Sequence, residues 1–129
     1  MLGSHNLIAF LAVKNADVAR SFYRDKLGLT LVSEDRFALV FNVNGTMLRV
    51  LPVGEIAPVK WTVLGWEVAD IETTARALEA SGVTLERFEW LKPEEKTTGI
   101  WNAPGGDKVA WFKDPDGNTL SISQHVVRP

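Results

Sequence analysis

The amino-acid sequence predicts an α+β fold made of two tandem βαβββ units, and three observations carry that prediction. Residues 13–31 and 68–85 read alike: the end of a strand, an acidic helix start, an amphipathic helix, a glycine stop and a second strand. Val13 aligns with Val68, Asp17 with Glu72, Gly28 with Gly82, Thr30 with Thr84 and Leu31 with Leu85, with one gap inside the helix. Each copy also closes on a turn signal, Asn44-Gly45 in the first and Asp114-Pro115-Asp116-Gly117 in the second. A repeat of about 55 residues implies two copies of one small unit packed together. A ligand cleft is expected where the copies curve around a shared space.

Each element has a local cause. Residues 7–13 are an apolar run of strand length. Asn15 can cap the helix that follows, and Asp17 sits near its positive end. Val18, Ala19, Phe22, Tyr23 and Leu27 recur at helical spacing and form one apolar stripe, which Gly28 ends. Residues 29–33, 37–43 and 46–53 then read as strands, the last two joined by Asn44-Gly45, whose residues both accept positive φ. In the second copy, 61–68 is a strand and Asp70 a helix cap. Ile71, Ala75 and Leu78 supply the stripe, Gly82 the stop, and 84–88 the next strand. Residues 109–113 and 119–124 form a hairpin whose turn has proline at the first bend and glycine at the reversal. Residues 91–107 read as a long irregular stretch, and loops of that length are usually functional or mobile.

Composition narrows the function classes. At 129 residues the chain fits one domain, with unit one over about 7–53 and unit two over about 61–125. Its net charge of −2 offers no basic footprint, so no nucleic-acid partner is expected. No apolar run approaches the roughly 20 residues of a membrane span, and the start lacks a signal-peptide pattern, so no membrane partner and a cytoplasmic location are expected. With no cysteine there is no disulfide, thiol nucleophile or thiolate metal site. Gly3-Ser4-His5 has the composition of a tag remnant, so His5 carries little weight. Five tryptophans in so short a chain are the compositional oddity.

Two segments carry a resemblance. Ala19-x-x-Phe22-Tyr23-x-x-x-Leu27-Gly28-Leu29 resembles the first helix and following strand of the vicinal oxygen chelate superfamily, also called the glyoxalase/bleomycin resistance/dioxygenase fold. Phe112-Lys113-Asp114-Pro115-Asp116-Gly117-Asn118-Thr119-Leu120 resembles its closing hairpin. The resemblance spans about residues 7–124. It implies paired βαβββ modules whose curved mixed sheets form an open cup with the helices outside, commonly as homodimers. The superfamily includes metal-dependent isomerases, lyases and ring-cleaving dioxygenases, and also metal-free proteins that sequester antibiotics. Fold alone therefore leaves function open.

Metal-using members hold a divalent ion at the cup floor with His and Glu from four strands. Side-chain alternation shows what this chain offers instead. Leu11 and Val13 belong under the first helix, which sends Ile8, Phe10 and Ala12 inward. Leu48 and Val50 belong to the core, which sends Arg49 and Leu51 inward. Leu64, Trp66 and Val68 lie under the second helix, leaving Val63, Gly65 and Glu67. Leu120 and Ile122 do the same on the last strand, leaving Ser121, Ser123 and His125. Matched to the family pattern, the four ligand positions carry Ile8, Arg49, Val63 and Ser121. Two hydrocarbons, a cation and a lone hydroxyl do not make a divalent-metal site, so no metal and no other cofactor is expected. A substitute site would have to draw on His125, Glu67 and His5.

The remaining side chains are weighed singly. Glu67 either pairs with Arg49 or recognises a polar ligand, since a charge on a covered face needs a partner. Arg49 suits an anion through bidentate bonding. His125 is either a rim or interface histidine or a polar ligand contact. Trp66 and Trp111 are expected in the core, Trp61 and Trp90 in core or interface, and Trp101 with Ile100 over the cup opening. The run 92–96 reads as a solvated charged segment, and Asp114 and Asp116 as turn residues.

The expected function is metal-free binding of a small organic ligand by Phe10, Arg49, Leu51, Glu67, Trp101, Ser121, Ser123 and His125, with no catalytic residue assigned. Antibiotic sequestration is one form of this, though not of bleomycin, because the chain is only weakly acidic. The alternatives are an enzyme of the same fold with a non-standard site, such as an acid/base pair of Glu67 and His125, and an interaction protein whose cup is filled by its own side chains.

Overall fold

The computed structural model describes residues 1–127. The chain divides into two compact units, Met1–Ala57 and Pro58–Pro129, and each carries its own four-stranded mixed sheet. The first unit runs from a short 3-10 turn, Leu2–Ser4, into β1 (Ile8–Val13), α1 (Ala16–Arg20), β2 (Thr30–Glu34), β3 (Leu39–Val43) and β4 (Thr46–Pro52). Its strand order is β1-β4-β3-β2, with β1 parallel to β4 and the other neighbours antiparallel.

Asn15 caps α1 by accepting from the Val18 amide at 2.9 Å, which satisfies one of the orphan donors at a helix start. The helix then widens into a π-helical stretch, Ser21–Lys26. Phe22 and Tyr23 both reach the core, 5% and 0% exposed, with their rings edge to face at 5.0 Å. Val18, assigned to the apolar stripe by its spacing, is 43% exposed instead. Beneath the helix lie Leu11, Val13, Leu39, Phe41, Leu48 and Val50, all buried.

The second unit contains β5 (Leu64–Glu67), α2 (Ile71–Ala80), α3 (Pro93–Thr98), β6 (Trp101–Asn102), β7 (Lys108–Lys113) and β8 (Thr119–Gln124), in the order β5-β8-β7-β6. β5 runs parallel to β8, again with antiparallel neighbours beyond. Asp70 caps α2 through Thr73, whose amide bond is the main reason the Asp70 carboxyl is held below the usual carboxylate range. Ile71, Ala75, Val83, Leu85, Ala110, Phe112, Leu120 and Ile122 form the core, and Trp66 stacks on Phe112 at 6.4 Å. The closing turn is organised by the buried Asp114 carboxylate, which accepts from the amides of Asp116 and Asn118 and from Asn118 Nδ2, each at 2.9 Å.

The structure corrects the sequence reading in the second unit. β5 begins at Leu64 rather than at residue 61. The strand expected over 84–88 shrinks to one antiparallel bridge, Leu85 with Phe112. Past that point the Arg87 guanidinium takes over the work of a ladder, donating to the carbonyls of Leu85, Lys96 and Thr97. With those acceptors satisfied by a side chain, the backbone is free to leave the sheet. The stretch 91–107 is not irregular throughout: it holds α3 and the short strand β6. Pro93 starts α3 and Gly99, at φ 78°, ends it. Among the described residues no helix is long and apolar enough to cross a membrane.

Phe41 is fully buried beside Tyr23, so Phe41→Ala is expected to cost about 3–5 kcal/mol of unfolding free energy, by the usual toll of truncating a core aromatic. Urea denaturation of the two proteins, compared by tryptophan emission and far-UV circular dichroism, measures the difference.

Candidate functional site

Because one face of each sheet is packed under a helix, the opposite face is where unused chemistry collects. On the first sheet the register sets Phe10 beside Arg49, Ala12 beside Leu51, and Val40 on the far side of Arg49. Ile8 at 42%, Phe10 at 60% and Met47 at 40% exposure make this open face markedly apolar. Arg49 stands half-buried in its middle and makes no hydrogen bond or ion pair among the described residues. Its charge helps to lower the Asp35 carboxyl, behind the larger effect of the Phe37 and Ala38 amides.

The open face of the second sheet is chemically different. Gly65 sits opposite Ser121, which sits opposite Trp111, forming one row across three strands. The next row is Glu67, Ser123, Val109 and Trp101. Glu67, Trp101, Ser121 and Ser123 are thus brought to one face, with His125 one step past the end of β8.

An aromatic wall rises at the β6 edge of this face. Trp90, Trp101 and Trp111 meet one another with ring centroids 5.8 to 6.0 Å apart, and Phe88 touches Trp90 at 5.4 Å and Trp111 at 5.6 Å. Trp111 is therefore not the core residue that the usual burial of tryptophan suggested. Ala110 and Phe112 are the buried pair, 0% and 1% exposed, and alternation turns the tryptophan between them to the other face. Ile100 likewise does not join Trp101. It is 4% exposed and belongs to the interior. Trp90, 58% exposed, belongs to the wall, and Trp61 stays in solvent at 69%.

Beside the wall the floor is small and smooth. A Cβ added to Gly65 would lie 3.1 Å from Ser121 Oγ, so a larger residue there would crowd the hydroxyl row. At the opposite edge Glu67 is exposed and makes no hydrogen bond or ion pair among the described residues. It opens onto a recess of about 720 Å³ that His125 and Val126 also line. Ser123 Oγ and His125 Nε2 are 2.9 Å apart, and His125 Nδ1 lies 3.2 Å from Asp107 Oδ2. Sequence reasoning passed over Asp107, because nothing in its turn-rich surroundings ties it to a histidine 18 positions later.

The wall is held in place by a residue that the charge run concealed. Glu95 is not a solvated carboxylate. It is 4% exposed, accepts from the Lys92 amide at 2.9 Å, and accepts from the Asn102 amide at 2.9 Å and from its side chain. By accepting from the N-cap amide of Lys92 it supplies the glutamate half of a capping box at the start of α3, and it ties β6, and so Trp101, to that helix. The Asn102 amide, followed by that of Lys92, holds the Glu95 carboxyl below the usual range. The Glu at the third helical position after Pro93 was the available signal.

Metal chemistry finds little to hold here. The positions that the family resemblance marks as ligands are Ile8, Arg49, Val63 and Ser121, and Ser121 is the one oxygen donor among them. Among the described residues no three His, Asp or Glu side chains cluster closely enough to hold an ion.

Comparisons with known proteins agree with this architecture. A sequence model of the Glyoxalase/Bleomycin resistance protein/Dioxygenase superfamily matches residues 5–122. No curated protein matches the sequence significantly. Among solved structures, a glyoxalase/bleomycin resistance protein/dioxygenase from Alicyclobacillus acidocaldarius superposes with a TM-score of 0.72 at 14% identity, covering 96% of this chain and 93% of that one. A lactoylglutathione lyase from Agrobacterium tumefaciens gives 0.70 at 19% identity over 94% and 93%. A member of the same superfamily from Sphaerobacter thermophilus gives 0.70 at 22% identity over 95% and 98%. At these identities the likeness concerns the fold.

A carboxylate with a lowered pKa contributes stability that is complete above its unfolded value and is lost as pH falls through its folded value. Acidification below the ordinary glutamate range, about 4.3, is therefore expected to loosen the α3–β6 junction and shift tryptophan emission. Glu95→Gln should shrink that acid-side change, as a pH titration of the fluorescence of both proteins would register.

Proposed function

Since the chain belongs to the glyoxalase/bleomycin resistance protein/dioxygenase superfamily, we propose that it binds a small planar organic ligand on the open face of its second sheet, without a metal ion. The observation that carries this reading is the aromatic wall of Phe88, Trp90, Trp101 and Trp111 standing over a floor of Gly65, Val109, Ser121 and Ser123. Aromatic faces attract flat rings and cations, and they do so at low entropic cost because the side chains are already packed together. The floor residues are short, so a flat group can lie close to the sheet. The hydroxyls of Ser121 and Ser123 supply hydrogen bonds that orient it.

Glu67 gives the face a polarity. From Trp111 on β7 to Glu67 on β5 is two strand spacings of roughly 4.8 Å each across the sheet and one row along it, about 12 Å in all. That span matches a fused or substituted ring with an amine at its far end. The wall takes the ring, and the unpartnered Glu67 carboxylate takes the positive charge. Separately, the open face of the first sheet carries Phe10, Leu51 and Arg49, whose guanidinium suits an anionic group. Sequestration of an antibiotic is one biological use of such binding. The lactoylglutathione lyase activity named for the Agrobacterium tumefaciens neighbour is not carried over, because the resemblance is to its fold.

Titration with planar amine-bearing compounds is expected to quench tryptophan emission to saturation. Trp111→Ala should weaken affinity about tenfold or more, the scale of one lost stacking contact, about 1–3 kcal/mol. Prior dialysis against EDTA should leave the affinity unchanged. A stoichiometric divalent metal in the purified protein, or an affinity that disappears on chelation, would refute the metal-free reading.

A further inference from the structure

Beyond ligand binding, we infer that Ser123, His125 and Asp107 form a nucleophilic relay that transfers the acyl group of a small carboxylic ester to Ser123. The geometry supports this independently of the aromatic wall. Ser123 Oγ lies 2.9 Å from His125 Nε2, and His125 Nδ1 lies 3.2 Å from Asp107 Oδ2. An ionised carboxylate only accepts hydrogen bonds, so Nδ1 carries the proton that faces Asp107. That leaves Nε2 of the neutral ring as an acceptor, and the hydrogen of its bond to Ser123 belongs to the serine. Each proton is thus where general-base activation of a hydroxyl needs it.

The surrounding structure keeps the three groups in line. Asp107 is fixed at its second oxygen as well, where Oδ1 accepts from the Val126 amide at 2.9 Å. The Asp107 carbonyl also accepts from Ala103, at 2.8 Å. Gly106, at φ 102°, lets the 125–126 segment close onto this loop, since a Cβ there would meet Val126 Cγ1 at 2.8 Å. Ser123 itself is pinned within β8 between Glu67 and Val109. His125 and Asp107 keep 43% and 21% side-chain exposure, Ser123 is half-buried, and His125 also lines the recess beside Glu67.

The step balances. Ser123 Oγ bonds to the acyl carbon while its proton passes to His125 Nε2, and the imidazolium is steadied by Asp107. The tetrahedral species collapses, the acyl carbon–oxygen bond to the alcohol breaks, and that oxygen takes the proton from Nε2. Water, deprotonated by the same nitrogen, then bonds to the acyl carbon, the bond from that carbon to Ser123 Oγ breaks as the acid leaves, and Oγ takes the proton back from Nε2. Activation by the relay alone suits esters with good leaving groups better than amides. Glu67, the register partner of Ser123, disfavours anionic substrates, so the class is a neutral or cationic ester.

The test uses the full chain with p-nitrophenyl acetate and, separately, a fluorophosphonate probe, read by intact-mass and peptide mass spectrometry. Both reagents are expected to modify Ser123, with a burst of about one equivalent of p-nitrophenolate. Ser123→Ala should abolish the modification. His125→Gln, with an unchanged circular dichroism spectrum, should slow it at least a hundredfold, within the range of general-base catalysis. Asp107 is a positioning residue: the parent is expected to show a downfield His125 Nδ1 proton resonance, and Asp107→Asn should slow acylation and remove that resonance. Modification confined to lysines or the amino terminus, no modification by either reagent, or equal rates at Ser123 with and without His125 would each overturn the inference.

Discussion

Alternation of side chains along paired strands, with one face of each sheet buried under a helix, is the constraint on which the rest of this protein rests. In the first unit Leu11, Val13, Leu48 and Val50 point toward α1, and in the second Ala110, Phe112, Leu120 and Ile122 point toward the interior beneath α2. Each of these side chains other than Ala110 is worth about 1.5–3 kcal/mol when buried. A slip of one residue would move a whole row of them into water and bring Arg49, Ser121 and Ser123 inside. Register is thereby locked, and whatever occupies the intervening positions is held rigidly on the open face at no further cost in order.

The two units use that freedom differently. The first presents aliphatic and aromatic side chains around one guanidinium. The second carries an aromatic wall, a hydroxyl floor and a carboxylate. The divergence begins where the repeat breaks. After the Leu85 bridge the second unit leaves the sheet, forms α3, and returns as β6. This excursion delivers Phe88, Trp90 and Trp101 to the side of Trp111. Arg87 and Glu95 make it affordable, because between them they satisfy carbonyls and amides that a full strand would have paired. Two residues that read as surface charge are thus what holds the wall in shape.

Wall and relay share one sheet face yet stand on different columns of it. Trp111 and Trp101 belong to β7 and β6, whereas Ser123 lies on β8 and His125 just past its end. A ring stacked on the wall would place its far end over Ser121, Ser123 and Glu67. In the proposed scheme the wall supplies ring recognition alone, while Ser123 and Glu67 would serve both ligand orientation and bond-making.

The repeat, the helix caps at Asn15 and Asp70, the two hairpin turns and the face on which each of Phe10, Arg49, Leu51, Glu67, Ser121 and Ser123 lies were legible in the sequence alone. These are local properties, carried by periodicity and turn chemistry over a few neighbouring residues. Trp111 was legible too, since Ala110 and Phe112 flank it, but the general preference of tryptophan for interiors pointed the other way. The tertiary structure decided what depends on residues far apart in the chain. Glu95 becomes a buried clamp only when Asn102 returns to it, and Arg87 an organiser only when residues 96–97 come within reach. The link from His125 to Asp107 exists because the 125–126 segment folds back over Gly106. Such contacts leave no periodic trace, because a side chain's partner is chosen by the path of the backbone between them.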